Sequence, residues 1–297
     1  MKRAIVAIKE RSAPLDNPYF QSLRDGSMTR EEFLETQIQF FQAVIFFSRP
    51  MAVLVGRIPR PQMRLALLEN LGDEHGSGRL TVCHENTFTE LLARLGVERP
   101  EMDARALWPE VRAFNMTLLG TCALDDVYTG LAALGMVEDL FSGISAEIGR
   151  GIVARGWLQQ NEVVHYLTHE KLDVAHAEGF YASLYEPWDR HPRWRYQIEQ
   201  GLELGAYAFL RLYKDLWRAR DRLQMRKVRG PHTISDGAWL EPEAYDVRPE
   251  APAAQGQRSA AADDSLDERK AGSPAASAPS AAPAPTAAIA SGAPIAR

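Results

Sequence analysis

Thr29-Arg30-Glu31-Glu32 opens a helix that cannot lie at the surface, and this segment restricts the fold more than any other. The Thr29 hydroxyl can accept from an amide of the first turn while Glu32 reaches back to the Thr29 amide, the reciprocal capping box. Downstream, Phe33, Ile38, Phe40, Phe41, Val44, Ile45 and Phe47 spread over an arc too wide for a single contact face. A helix apolar over so much of its circumference has to be buried on more than one side. Pro50 predicts a kink in it.

The rest of the chain supplies the enclosure. Asn17-Pro18-Tyr19-Phe20 reads as a cap with proline at the first helical position, opening a short helix that stops near Gly26. Helical patterning recurs from Gln62 to about His75, Leu80 to Leu95, Ala104 to Thr121, and Asp126 to Arg155 with an interruption near Gly143. Asn161 caps a further helix to about Tyr185, Pro187 and Pro192 mark a break, and Trp194 to Met225 forms the last helix. No segment of useful length alternates apolar and polar residues as a strand would, and no repeat is evident. The expectation is an all-α bundle of seven or eight helices over residues 1–228. Residues 229–250 read as a transitional segment, with Trp239 and Tyr245 docking back, and residues 251–297 as a disordered tail of Ala, Pro and Ser.

Composition excludes several functions. A net charge of −5 over 297 residues offers no basic face for nucleic acid. Cys83 and Cys122 have neither metal-type nor redox-type spacing, which suits a reducing cytoplasm. The opening MKRAIVAIKERSAP is too short in apolar residues for a signal peptide. The longest apolar run, Ala43 to Leu54, is interrupted by Ser48, Arg49 and Pro50, short of the roughly 18 residues a membrane span needs. A cytoplasmic protein with no nucleic-acid or membrane partner is expected.

Chemistry concentrates at His169-Glu170-Lys171-Leu172-Asp173-Val174-Ala175-His176. Positions i, i+4 and i+7 of a helix lie at roughly 0°, 40° and −20° about its axis, so both imidazoles and the carboxylate share one face. Leu172, Phe180 and Leu184 turn that stripe inward. The three could form no more than a buried polar network, but an ionised Asp without a partner costs several kcal/mol to bury, and a cation removes that penalty. Imidazole with carboxylate suits ferrous iron. Glu138 stands out in the apolar stretch Ala132 to Val137, and Glu147 has a similar setting; His84, His75 and Glu74 are donors on earlier segments. Bundle di-iron sites draw inward carboxylates and histidines from several helices. Spacing alone does not choose Glu138 over Glu147, or His84 over His75.

This order of features, from Asn17-Pro18-Tyr19-Phe20 to His169-x3-Asp173-x2-His176, resembles the heme-oxygenase-like superfamily over roughly residues 15 to 225. That superfamily includes thiaminase II, the pyrroloquinoline-quinone synthase and a group of non-haem di-iron oxidases, and the His-x3-Asp-x2-His pattern is that of the di-iron group. The resemblance implies a heme-oxygenase-like bundle with Glu74, His84, Glu138, His169, Asp173 and His176 as metal ligands. Glu138, 31 residues before His169, matches the family's middle Glu, whereas Glu147 falls too close. In one continuous helix Glu74 and His84 would point about 80° apart, so a kink or unwound turn is required near Gly76 to Gly78. The implied cofactors are two Fe(II) ions per chain, with O2 as co-substrate. The carboxylates would bridge or cap the irons, and Phe40, Phe41 and Phe47 would wall the pocket.

The implied enzyme is an iron- and O2-dependent oxidoreductase acting on a small amine- or carboxylate-bearing metabolite in specialised metabolism. The Glu–His spacing resembles the N-oxygenating members; oxidative cleavage or desaturation of an amino acid or fatty acid is the alternative. A homodimer and an external electron donor are the further partners it suggests. A metal-free ligand-binding or regulatory bundle related to thiaminase II is the rival from another class. Neither cysteine matches the thiaminase nucleophile, however, and a haem enzyme would need only one axial His.

Overall fold

The computed structural model describes residues 1–103 and 105–220, and the expectations for the tail, for Trp239 and Tyr245, and for the last turn to Met225 fall outside them. Ten α-helices and no strand occur among the described residues: α1 Lys2–Ser12, α2 Pro18–Asp25, α3 Arg30–Arg57, α4 Pro61–Glu74, α5 His84–Arg94, α6 Arg99–Asp103, α7 Pro109–Leu124, α8 Val127–Ala154, α9 Val164–Arg190 and α10 Pro192–Ala219. The all-α expectation holds, with two helices beyond the expected seven or eight. α1 is a short basic helix anchored by buried Ile5 and Ile8 and packed on α10. Two apolar positions three residues apart are too faint a stripe to read in a sequence. α6 spans only five residues.

The capping signals form as read. The Thr29 hydroxyl accepts from the Glu32 amide at 3.1 Å, and Glu32 accepts from the Thr29 amide at 2.9 Å. Asn17 caps α2 through the Tyr19 amide at 3.1 Å. Helix α3 continues through Pro50 and is enclosed as its apolar arc requires, packing against α4, α5, α7 and α8. Contrary to the sequence expectation, α3 is long and apolar enough to cross a membrane: its best 18-residue window has mean hydropathy 1.6. That window is 61% buried by the other helices, and Glu35, Gln37, Gln39 and Gln42 are buried along α3. Such a helix passes a hydropathy test because it is a core helix.

Several helix limits differ from the expectation. α7 starts at Pro109 rather than Ala104, because proline takes the first helical position. α8 runs unbroken through Gly143, and α9 runs through Pro187 to Arg190. Asn161 does not cap α9; it lies in a 3-10 turn over Gln160–Glu162 closed by Gln159 and Glu162. α8 is the central element, packed along α9 and α10. Glu138 sits midway along it, facing the stripe of α9 that carries His169, Asp173 and His176.

Candidate metal centre

The early donors are brought together by a chain reversal. Helix α4 ends at Glu74, and Gly76–Gly78 forms a 3-10 turn in which Gly76, Ser77 and Gly78 all have positive φ. A Cβ at Gly76 would lie 2.8 Å from the Cys83 amide nitrogen and 3.0 Å from the Val82 carbonyl carbon, so the turn closes only around glycine. Residues Leu80–Val82 make a second 3-10 turn, and α5 begins at His84, later than the expected Leu80. The required break is therefore present. It sets His84 Nδ1 2.9 Å from Glu74 Oε1, although the pair is not aligned as a hydrogen bond.

All six predicted side chains are buried in one region. Glu138, Asp173 and His176 each offer a donor atom within 4.8 Å of the others, the one group of three among the described residues that closes so tightly. The second trio is looser. The rings of His84 and His169 lie 4.3 Å apart, and Glu74, His84, Glu138 and His169 all line one cavity. Glu138 thus belongs to both groups. The rejected alternatives lie elsewhere: Glu147 is paired with Arg24 at 2.8 Å and Arg150 at 2.9 Å, and His75 is exposed and bonded to the Leu71 carbonyl. Phe40 and Phe47 line the cavity as expected, whereas Phe41 packs on Phe88 outside it.

Electrostatics mark the cluster as incomplete. Burial, and then the charge of Glu138, push the Asp173 carboxyl well above its usual range. Burial, reinforced by His84, holds His169 down to about 3. For His176 burial pulls down, but Glu138 and Asp73 outweigh it and raise the ring to about 9. His169 Nε2 and His176 Nδ1 are buried without a hydrogen-bond partner, as is Asn70 Oδ1 beside them. Buried polar atoms normally find partners. Three carboxylates and three imidazoles with unpartnered nitrogens are a donor set that iron fits.

Residues that the sequence did not single out hold these donors. Asn70 donates through Nδ2 to Glu138 Oε1 at 2.7 Å. His176 Nε2 lies 3.1 Å from Asp73 Oδ2, whose partner oxygen accepts from Ser77 at 2.9 Å. The proton between His176 and Asp73 belongs on Nε2, which turns Nδ1 toward Glu138 at 3.8 Å and Asp173 at 3.9 Å. His169 Nδ1 lies 2.9 Å from Asp173 Oδ1; with Asp173 ionised, as a metal ligand must be, Nδ1 donates this hydrogen bond and Nε2 is left bare. His165, fully buried, extends the same helical stripe one turn back; its Nδ1 contacts the Thr87 hydroxyl at 2.9 Å, and its ring lies 4.4 Å from that of His169. Its i−4 spacing from His169 was the available signal. Carboxylates that orient a ligating histidine contribute about 10–100-fold to metal affinity. Asp73→Ala is accordingly expected to weaken ferrous binding by that order with the fold intact, measured by anaerobic titration; unchanged affinity would remove Asp73 from this role.

Residues 34–210 match the family described as iron-containing redox enzymes. The chain is 24% identical over 206 residues to 4-chloro-allylglycine synthase of Streptantibioticus cattleyicolor, covering 69% of this chain and 74% of that one. It is 23% identical over 192 residues to 4-aminobenzoate synthase of Nitrosomonas europaea, covering 61% and 76%. A Shewanella denitrificans domain of unknown function with a heme oxygenase-like fold superposes with TM-score 0.62 at 16% identity, over 75% of this chain and 93% of that one. The bundle is therefore heme-oxygenase-like, and the chain belongs to the iron-containing redox enzyme family, as an oxidoreductase.

Proposed function

We propose that this chain is a non-haem di-iron oxidase or oxygenase that uses O2 to oxidise a small metabolite. The observation that carries the reading is the convergence of Glu74, His84, Glu138, His169, Asp173 and His176 in one buried region, with imidazole nitrogens lacking partners. Glu138 belongs to both groups of donors and would help to hold the iron bound at either. His176 would ligate through Nδ1 and His169 through Nε2, the nitrogens their hydrogen bonds leave free. Bound iron would supply the reduction of O2 and the oxidising power. Around it, Asn70 holds one Glu138 oxygen, Asp73 holds the His176 ring, and the apolar cavity limits water at the reacting face.

For the reaction type, N-oxygenation loses ground to oxidation of a carbon framework. The relatives are named for making an allyl-bearing amino acid and an aminobenzoate, and neither name describes an N-oxygenated product. The thiaminase-like alternative is weakened by the cysteines. Burial pushes the Cys122 thiol up to about 12 and raises Cys83 as well, the reverse of an activated nucleophile.

Ferrous reconstitution under O2-free conditions tests the proposal. About two irons per chain are expected, with the loss of both on His169→Ala or His176→Ala. An active, folded protein that holds no iron after reconstitution would sink it.

A further inference from the structure

Helix α9 carries a third histidine on the stripe that holds His169, Asp173 and His176. Taking His169 as zero, His165, Asp173 and His176 lie at roughly −40°, 40° and −20° about the helix axis. His165 is fully buried. Its ring centroid is 4.4 Å from that of His169 and 6.2 Å from that of His84, so three imidazoles meet between α5 and α9. The Thr87 hydroxyl fixes its tautomer. That hydroxyl donates to the His84 carbonyl at 3.2 Å, which leaves its lone pairs to accept the His165 Nδ1 proton at 2.9 Å. Nε2 then carries a bare lone pair, buried and without a hydrogen-bond partner.

His169 and His176 show the same pattern. His169 is held at Nδ1 by Asp173 and His176 at Nε2 by Asp73, each with its other nitrogen free. A ligating histidine ordinarily gives its second N–H to a neighbouring acceptor, and that bond selects the nitrogen that meets the metal. Plain packing does not explain His165. Its ring meets Phe88 edge to face at 4.6 Å, a contact that a phenylalanine would make without burying a bare nitrogen. Glu138, Asp173 and His176 are the one group among the described residues whose donor atoms close within 4.8 Å. His165 therefore stands with Glu74, His84 and His169, the looser donors that must converge further to share an ion. We propose that His165 is a seventh ligand, binding through Nε2 the metal that His84 and His169 hold, with Thr87 as its positioning residue. The proposal rests on the di-iron reading above. It makes the Glu74 side of the cluster rich in imidazole and the side of Glu138 and Asp173 rich in carboxylate.

Cobalt(II) titration of the full-length protein, followed by proton NMR, tests the assignment without reference to activity. An imidazole that ligates high-spin cobalt(II) shows its remaining N–H as a far-shifted resonance that disappears in D2O. Four such signals are expected from the wild type, one each from His84, His165, His169 and His176. His165→Phe keeps the packing against Phe88 and should lose one of the four. The same variant should bind one cobalt at least about 100-fold more weakly, the upper end of what a hydrogen bond supporting a ligand contributes. The wild-type signals decide the matter even should His165→Phe not fold. Two bound cobalt ions with three signals, or a His165→Phe protein that binds both ions as the wild type does, overturns the seventh ligand and leaves the di-iron reading standing. Protein that takes up neither cobalt nor ferrous iron refutes the di-iron reading, and the assignment of His165 falls with it.

Discussion

Gly205→Val abolishes the cooperative thermal transition, and Gly205→Ala lowers its midpoint by roughly 10 °C. The cause is the approach of α10 to α8. A Cβ at Gly205 would lie 2.4 Å from the Ala133 carbonyl oxygen and 3.0 Å from the Ala133 Cα. One turn earlier, a Cβ at Gly201 would lie 2.3 Å from the Thr129 carbonyl oxygen. These obstacles are backbone and cannot rotate away, so the helices must separate. Overpacking costs up to about 3 kcal/mol and occasionally more, and in a domain of this size each kcal/mol shifts the midpoint by about 2–4 °C. Ala133 lies five residues before Glu138 on α8, so separating α10 from α8 also disturbs the placement of the central carboxylate. Circular dichroism melts provide the measurement, with iron content as a second readout. Gly143→Ala is the control, because a Cβ there meets nothing within 4 Å and glycine within a helix is less favourable than alanine. A Gly205→Ala protein that melts with wild type would disprove the account.

What the sequence disclosed of this molecule follows the range of the forces involved. The His169, Asp173 and His176 stripe was legible because helical geometry is local: spacing alone puts the three on one face. The chain reversal at Gly76 was legible as a contradiction, since Glu74 and His84 could share a site only if no continuous helix joined them. The choice of Glu138 over Glu147 needed a family's spacing; in the structure Arg24 and Arg150 engage Glu147, and Arg24 comes from the distant helix α2. Asp73 and Asn70 were missed for the same reason. Their partners, His176 and Glu138, lie 103 and 68 residues away, and only the packing of α4 near α8 and α9 brings them within reach. His165 is the exception, as its position one turn before His169 was readable and was passed over. Helix ends fared worst where proline or a 3-10 turn, rather than the apolar pattern, decides where a helix starts, as at Pro109 and His84.

Asp173→Asn yields a protein that is more stable without metal and that no longer holds a full iron complement. In the metal-free protein the Asp173 side chain is fully buried beside Glu138, and burial raises its pKa well above the ordinary carboxylate range. A carboxyl raised in the folded state carries no penalty below its unfolded value of about 4 and a growing one as pH climbs toward the folded value. His176 acts in the same direction: raised to about 9, it contributes stability that is complete below pH 6.5 and lost as pH rises through 9. Metal-free protein should therefore weaken as pH rises from 6 to 9 on both counts. Asparagine removes the Asp173 share while its amide oxygen still accepts from His169. The melting midpoint at pH 8 should rise by roughly 6 °C, corresponding to about 2 kcal/mol, with the gain fading toward pH 4. Iron reverses the order, because ligation requires deprotonated Asp173 and His176, so loading releases protons and strengthens as pH rises. The wild-type midpoint should gain more from ferrous iron at pH 8 than at pH 6, and Asp173→Asn should bind one iron or fewer. A metal-free Asp173→Asn protein that melts below wild type at pH 8, or that binds iron as wild type does, would show that this carboxylate serves the fold rather than the metal.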